Sequence, residues 1–211
     1  MKKTNKLLAA LALAIGFSVS AKAAVVVNGN FETSTLGYPW WGAGQAVVVN
    51  NDGVFTPLDS IGQSYQLYFG SSSGWAQAGQ AVGVLEAGKD YTLTFQLCGA
   101  WGQSGSAYAS LAGYDSNSSP TSQIFASNTF NFNGVSWSQA TLNLSAATIS
   151  QSYSAWIGKE LDIVIGFNSG TEFSIDNVAV TATAVPEPGT ATMLGLGLAG
   201  FLGARRRRAR A

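Results

Sequence analysis

The middle of the chain alternates between hydrophobic and polar residues over short stretches, with a period of two. In residues 90–98 every second side chain is apolar, and these positions are Tyr91, Leu93, Phe95 and Leu97. The same alternation recurs in residues 64–70, 140–145 and 160–168. It is typical of strands with one buried and one solvated face, as in antiparallel sheets.

Further strands are predicted where valine, threonine and aromatic residues lie between glycine-rich turns. They cover residues 25–28, 46–50, 76–84, 108–114 and 122–132, with a last strand from Phe173 onwards. No convincing 3.6-residue periodicity occurs between residues 24 and 184. Nine or ten short strands predict an all-β fold, a two-sheet antiparallel sandwich resembling a jelly roll.

The last strand changes phase in its middle. Phe173 and Ile175 share one face, whereas Val178 and Val180 continue the pattern one residue out of step. One extra residue near Asp176 restores the alternation, so we predict a β-bulge there.

The first 23 residues predict a secretory signal peptide with a short helix. Three lysines precede a largely apolar stretch at residues 7–19. Ala21 and Ala23 fit a cleavage site before Ala24. We therefore predict an exported protein whose domain covers residues 24–184.

The two ends conceal the charge of this domain. The whole sequence has 11 basic and 11 acidic residues, but residues 24–184 contain two basic and ten acidic ones, a net charge of −8. Such a domain does not suit the phosphates of nucleic acid, so we expect no nucleic-acid partner. The chain has no histidine, and the spacing of its acids selects no catalytic pair, so we expect no enzymatic activity.

The last 27 residues, 185–211, form three successive parts. The first part ends any preceding strand, because proline cannot donate to a ladder, and it consists of Val185, Pro186, Glu187 and Pro188. A predicted membrane segment follows at about residues 190–204, and its uncharged run of about 14 residues gives ~21 Å of helix against a hydrocarbon core of ~30 Å. The tail, residues 205–211, begins with four arginines that favour the cytoplasmic side, namely Arg205, Arg206, Arg207 and Arg208.

This order of parts resembles the PEP-CTERM sorting signal, with Pro186, Glu187 and Pro188 as the triplet. The resemblance implies recognition by exosortase, a membrane-embedded cysteine transpeptidase of Gram-negative bacteria, and removal of the tail near the triplet. It implies an intermediate anchored transiently in the inner membrane and a final location at the cell surface or outside the cell. The alternatives are an ordinary weak tail anchor and a basic tail that binds nucleic acid.

Three fragments of the middle domain resemble a carbohydrate-binding jelly roll of the galactose-binding-like type. They are VNGNFE from Val27, AGKDYTLTF from Ala87 and SIDNV from Ser174. In that family an acid on the first strand and one on the last commonly share a structural calcium, and the matching positions are Glu32 and Asp176. The resemblance therefore implies calcium as a cofactor, and the alternative is that both acids accept from turn amides or face solvent.

Tryptophans are the candidates for sugar binding, because an aromatic face stacks on the apolar face of a sugar. Trp40 and Trp41 follow a glycine- and proline-containing loop, and Trp101 comes just after a predicted strand. The alternative for each is packing in the core. Adjacent strand residues face opposite ways, so one of Trp40 and Trp41 can be exposed.

These patterns together predict a non-enzymatic protein of the cell surface or extracellular matrix. PEP-CTERM cargo is associated with exopolysaccharide, which makes the matrix the expected partner class. One alternative is a module that binds carbohydrate, in particular exopolysaccharide. Another is an ice-binding protein, which requires a flat array of regularly spaced threonines that the sequence does not display.

Overall fold

The computed structural model describes residues 26–32, 39–50, 65–70, 74–115, 121–167 and 171–185, together with Gly197. Nine strands dominate this part of the chain: β1 Trp40–Asn50, β2 Tyr65–Gly70, β3 Ala76–Val84, β4 Lys89–Gly99, β5 Ser104–Asp115, β6 Thr121–Asn133, β7 Ser138–Leu144, β8 Glu160–Phe167 and β9 Phe173–Ala184. A short helix, α1 Ala146–Ser152, lies between β7 and β8, and 3₁₀ turns form at Ala100–Gly102 and Ser154–Trp156.

The strands are antiparallel and follow the order β6-β5-β8-β3-β1-β2-β9-β4-β7. Residues 40–44 of β1 pair with β3, and residues 45–50 pair with β2, so β1 belongs to two sheets. Gly44 stands at this crossing with φ 71°. We call β6, β5, β8, β3 and residues 40–44 the front sheet, and residues 45–50, β2, β9, β4 and β7 the back sheet. This arrangement confirms the predicted all-β, jelly-roll-like sandwich.

The core fills the space between the two sheets. The predicted apolar face of β4 is buried throughout, as is the face of β8 that carries Leu161, Ile163, Ile165 and Phe167. Phe173 stacks on Phe69 with ring centroids 4.5 Å apart, and Phe167 meets Phe173 edge-on at 5.8 Å. Burying each such ring stabilises the fold by about 1.5–3 kcal/mol. A shift of one residue in a strand would expose its rings to solvent, so burial determines which face of each strand points inwards.

The predicted bulge in β9 is confirmed. Thr94 of β4 pairs with Ala179, and Gln96 pairs with Asp176, so two residues of β9 lie opposite one residue of β4. Asn177 takes the left-handed conformation, with φ 52°. The bulge brings the side chain of Asp176 into a fully buried position.

The predicted strand at residues 25–28 is wrong. Residues 27–30 form a turn, with φ 51° at Asn28, and Val25 lies outside the described residues. The asparagines and glycine of this segment tolerate left-handed backbone, and this preference prevails over the β-propensity of the valines. The turn docks on the bulge, because the Val178 amide donates to the Gly29 carbonyl at 2.8 Å.

Helix α1 was absent from the prediction because it buries a single apolar residue, Ile149. Its start is fixed by hydrogen bonds instead. The hydroxyl of Ser145 accepts from the Thr148 amide at 3.1 Å, and the Asp90 carboxylate accepts from the Ala146 amide at 2.7 Å. One buried residue makes no hydrophobic period, so the helix has no 3.6-residue signal.

Both ends of the chain lie mostly outside the described residues. This applies to the signal peptide with Ala21, Ala23 and Ala24, to the triplet, to the four tail arginines, and to residues 190–204 apart from Gly197. Val185 is described, and its amide donates to the Gly88 carbonyl at 2.8 Å. Within the described ranges, no helix is long and apolar enough to cross a membrane.

Candidate functional site

The two adjacent tryptophans of β1 lie on opposite faces of the front sheet. Trp40 is 4% exposed and packs on Phe31 in the core, where its indole N–H donates to the Val27 carbonyl at 2.8 Å. Trp41 is 41% exposed on the outer face, with its indole over Gly79. A Cβ at residue 79 would meet the indole, so this glycine is what allows Trp41 to lie against the sheet. Trp41 is therefore open to a ligand, and Trp40 is not.

Cross-strand pairing extends the outer face in two rows, since paired residues of antiparallel strands share a face. One row is Trp41, Gly79, Val164, Ser110 and Ser127. The next row is Ala43, Gln77, Gly166, Tyr108 and Thr129. The Tyr108 hydroxyl donates to Gln77 Oε1 at 2.9 Å, across the bare backbone of Gly166. We call this surface the Trp41 face.

The third row of the Trp41 face adds a carboxylate. Asp162 of β8 pairs with Ala81 on one side and Ala112 on the other. Burial raises the pKa of Asp162 to about 6, and the neighbouring charge of Glu160 adds to the rise. The face thus combines an exposed indole, a phenol, a side-chain amide and a carboxylate over a floor of glycines. An aromatic face of this kind can stack on a sugar ring, and polar side chains beside it can exchange hydrogen bonds with sugar hydroxyls.

Sequence reasoning identified Trp41 but missed Tyr108, Gln77 and Asp162. Each of these residues occupies the polar phase of an alternating strand, which marks it as facing away from the core. The sequence does not show that the three strands concerned are neighbours, and that adjacency is what makes a site.

Trp101 lies apart from the Trp41 face. It is 56% exposed in the 3₁₀ turn after β4, where the chain leaves the back sheet. The three predicted sugar-binding tryptophans therefore occupy three environments, namely the core, the front face and a corner of the back sheet.

The predicted calcium pair converges at the bulge. Asp176 is fully buried, and its Oδ1 accepts from the Asn177 amide at 2.6 Å. Burial raises the pKa of Asp176 to about 7, and the nearby charge of Glu32 contributes to the rise. Glu32 Oε1 in turn accepts from the Tyr65 amide at 3.1 Å. The two carboxylates are thus near enough to repel each other, and a cation between them would relieve that repulsion.

A third oxygen is available beside this pair. Gln66 precedes Leu67, the partner of Ile175, and this register places it next to Asp176 on the outer side of the back sheet. Its side chain is buried, and within the described residues neither its Oε1 nor its Nε2 has a hydrogen-bond partner. Carboxylate and amide oxygens are the donors that calcium prefers. The described ranges contain no group of three or more acidic, histidine or cysteine side chains, so backbone or amide oxygens would complete the set.

Comparison with solved structures places the fold among those of carbohydrate-binding domains. The CBM22-2 xylan-binding domain of Xyn10C from Paenibacillus barcinonensis is similar with a TM-score of 0.51 and 19% identity, covering 73% of this chain and 97% of that domain. The tandem CBM22-1–CBM22-2 structure from the same enzyme gives a TM-score of 0.54 and 12% identity, over 79% of this chain and 46% of that one. The arabinose-bound α-L-arabinofuranosidase MgGH51 gives a TM-score of 0.54 and 16% identity, over 76% of this chain and 26% of that one. At these identities the likeness concerns the fold.

The C-terminal resemblance is confirmed by a family model. Residues 184–208 match the PEP-CTERM protein-sorting motif. This motif supports export that depends on exosortase, in agreement with the signal-peptide pattern at the other end of the chain. No curated protein sequence matches the chain.

Proposed function

We propose that the protein is an exported, non-catalytic module that binds polysaccharide through the Trp41 face. The observation that carries this proposal is the exposed indole of Trp41, held over Gly79 on the same face of the sheet as Tyr108, Gln77 and Asp162. A binding module needs a rigid platform rather than a reactive group, and side chains on paired strands provide one. The similarity in fold to xylan-binding domains agrees with this role.

Location completes the proposal. After export, the chain is anchored in the inner membrane of a Gram-negative bacterium and processed by exosortase near Pro186–Pro188. The domain then resides at the cell surface or in the extracellular matrix, where exopolysaccharide is its partner. Intact mass of the surface form tests this step, and a form that keeps all of the tail arginines would contradict the processing.

Affinity electrophoresis of the full-length chain in gels containing soluble xylan, mixed-linkage β-glucan or β-1,4-galactan tests the binding. We expect retardation by at least one of the three polymers, and weaker retardation in Trp41→Ala. Ile157→Ala is the control, because it removes an exposed apolar side chain outside the Trp41 face. Unchanged retardation in Trp41→Ala would show that the binding site lies elsewhere on the domain.

The absence of catalysis is part of the proposal. Glycoside hydrolysis uses two carboxyl groups on either side of the bond. Among the described side chains of the Trp41 face the acids are Glu160 and Asp162, which stand on one strand two residues apart, so both approach a ligand from the same side. Release of reducing ends from any of the three polymers, lost in Asp162→Asn, would overturn this assignment.

We further propose a structural calcium held by Glu32, Asp176 and Gln66. Calcium would join the N-terminal turn to the last strand and neutralise the buried carboxylate. Addition of calcium to the chelated protein is expected to raise Tm, and magnesium, which prefers to keep its waters, is expected to raise it less. An unchanged Tm at millimolar calcium would rule the site out.

The ice-binding alternative has one observation in its favour. Register aligns threonines of three back-sheet strands on the outer surface: Thr92 and Thr94 of β4, Thr141 of β7, and Thr181 of β9. The array is small, the sheet twists, and Thr92 is already bonded to Asn143 at 2.9 Å. Thermal hysteresis in the full-length chain, abolished by Thr94→Lys, would favour this function over polysaccharide binding.

A further inference from the structure

Trp101 combines high exposure with a fixed position. It takes a left-handed conformation, φ 55° and ψ 26°, inside the turn that follows β4. This conformation is strained for a non-glycine residue and persists where the surroundings enforce it. The backbone conformation of the turn therefore sets the direction in which this exposed indole projects.

Hydrogen bonds enforce that direction. The Tyr68 hydroxyl donates to the Glu172 carboxylate, and it accepts from the indole N–H of Trp101. The backbone around Glu172 is fixed as well, because its amide donates to Gln103 Oε1 at 3.0 Å and its carbonyl accepts from the Ala100 amide at 3.0 Å. The turn after β4 and the segment before β9 are thus joined on both sides of Trp101, so the indole is pre-organised.

This cluster lies on the side of the sandwich opposite the Trp41 face. Leu67 and Phe69 point into the core, so Tyr68 between them points outwards from the back sheet. Gln45 and the ring of Tyr68 both lie over Gly70, where a Cβ would meet them. An exposed amide therefore stands beside the ring of Tyr68, whose hydroxyl is bonded to the carboxylate and the indole. We call Trp101, Tyr68, Glu172 and Gln45 the Trp101 corner.

The chemistry of the Trp101 corner fits a neutral sugar. An indole face takes the apolar side of a pyranose ring, while a carboxylate and an amide accept from and donate to its hydroxyls. The domain has two basic residues, Lys89 and Lys159. Lys89 begins β4 and Lys159 immediately precedes β8, so both lie at the other end of the sandwich. Among the described residues no cation accompanies the carboxylate of this corner, which disfavours an anionic polymer.

We propose that the Trp101 corner is a second sugar-binding site, and that the domain joins two neutral polysaccharide chains, one on each side. This inference rests on the proposed function, because the first chain occupies the Trp41 face. The two sites lie on opposite surfaces, so one chain cannot cover both without passing round an edge of the sandwich. A rigid domain with two sites can cross-link two polysaccharide chains. It also binds a polymer network more tightly than either site binds alone, because both sites can be occupied at once.

Isothermal titration of the full-length chain separates the two sites. The ligand is the hexasaccharide of whichever of xylan, mixed-linkage β-glucan and β-1,4-galactan binds in the gel assay. We expect two hexasaccharides per chain in the wild type and one in either Trp41→Ala or Trp101→Ala. Removal of an aromatic anchor is expected to weaken its own site about thirtyfold or more and to leave the other unchanged. Each single variant therefore serves as the folding control for the other.

Tyr68→Phe tests the positioning role of the hydroxyl. It keeps the ring but removes the acceptor of the Trp101 indole N–H, so the Trp101 corner should lose affinity while the Trp41 site keeps its value. Turbidity of the soluble polymer gives an independent readout, because cross-linking requires both sites and should vanish in either tryptophan variant.

Four outcomes are distinguishable. One hexasaccharide per chain, lost in Trp41→Ala and kept in Trp101→Ala, overturns the second site and leaves the proposed function intact. One hexasaccharide lost only in Trp101→Ala overturns the Trp41 face and the cross-linking. No binding to any of the three polymers overturns both. Two sites with the expected losses support both.

Discussion

Asp162→Asn tests whether the Trp41 face is maintained at the expense of stability. Burial, with Glu160 adding to it, raises the pKa of Asp162 from 3.8 to about 6. The folded domain therefore binds this proton more tightly than the unfolded chain does. Its contribution to stability is fully present below about pH 4 and is lost as pH rises to about 6. The asparagine variant has no such proton and should not show this loss.

The magnitude follows from the shift. About two pKa units correspond to about 3 kcal/mol at ~1.36 kcal/mol per unit. Asp162 is partly exposed, so solvent screening reduces this figure, and we expect Asp162→Asn to be about 1–2 kcal/mol more stable than the wild type at pH 7. At pH 3, where the wild-type carboxyl is protonated, the two proteins should differ little.

Urea unfolding of the full-length chain, followed by tryptophan fluorescence at both pH values, measures the difference. Glu160→Gln is the matched control, because it removes the smaller cause of the shift and should reduce the pH dependence only in part. The same difference at pH 3 and pH 7 would refute the reasoning, since it would then arise from packing rather than from the proton. If the stabilised variant also binds polysaccharide more weakly, the carboxylate serves the ligand and not the fold.

Five further substitutions have defined outcomes. Trp40→Ala should destabilise the domain by about 3–5 kcal/mol, whereas Trp41→Ala should change stability by less than ~1 kcal/mol and weaken polymer retardation; a larger loss of stability in Trp41→Ala than in Trp40→Ala, or unchanged retardation in Trp41→Ala, would contradict the site. Gly79→Ala should displace the Trp41 indole and weaken hexasaccharide binding in titration; unchanged affinity would show that the indole position is unimportant. Asn177→Gly should raise the free energy of unfolding by up to ~1 kcal/mol, as φ is 52°, and a lower urea midpoint would mean that the asparagine side chain contributes more than the strain costs. Asp176→Asn should remove the rise in Tm with calcium, and a rise that persists in calorimetry would exclude this ligand.

Sequence reasoning predicted the strands well where burial dictates their phase. β4 and β8 alternate without interruption because each apolar residue enters the same core. Even the bulge was predictable, because the apolar alternation shifts by one residue between Ile175 and Val178, and one extra residue in β9 accounts for that shift. Local pattern is sufficient for such features, because the period of a strand and the position of the core are expressed residue by residue.

Which strands lie next to each other in the sheets was not predictable in the same way. The bond between Tyr108 and Gln77 joins residues 31 positions apart, and it forms because β8 lies between β5 and β3. The placement of Trp41 over Gly79 also depends on the register of β1 against β3. A candidate site made from side chains on several strands thus depends on strand order, which the alternation along one strand does not contain.

The position of β9 has a mechanical consequence. β9 lies inside the back sheet, with ten residue pairs to β4 on one edge and three to β2 on the other. Any pull on the residues after Val185 enters the domain along the axis of β9, parallel to both neighbours. Both ladders are then loaded in shear, so their hydrogen bonds share the force instead of opening one after another as they would at an edge strand. A load applied along β9 through the C-terminal segment is therefore spread over the hydrogen bonds of both ladders.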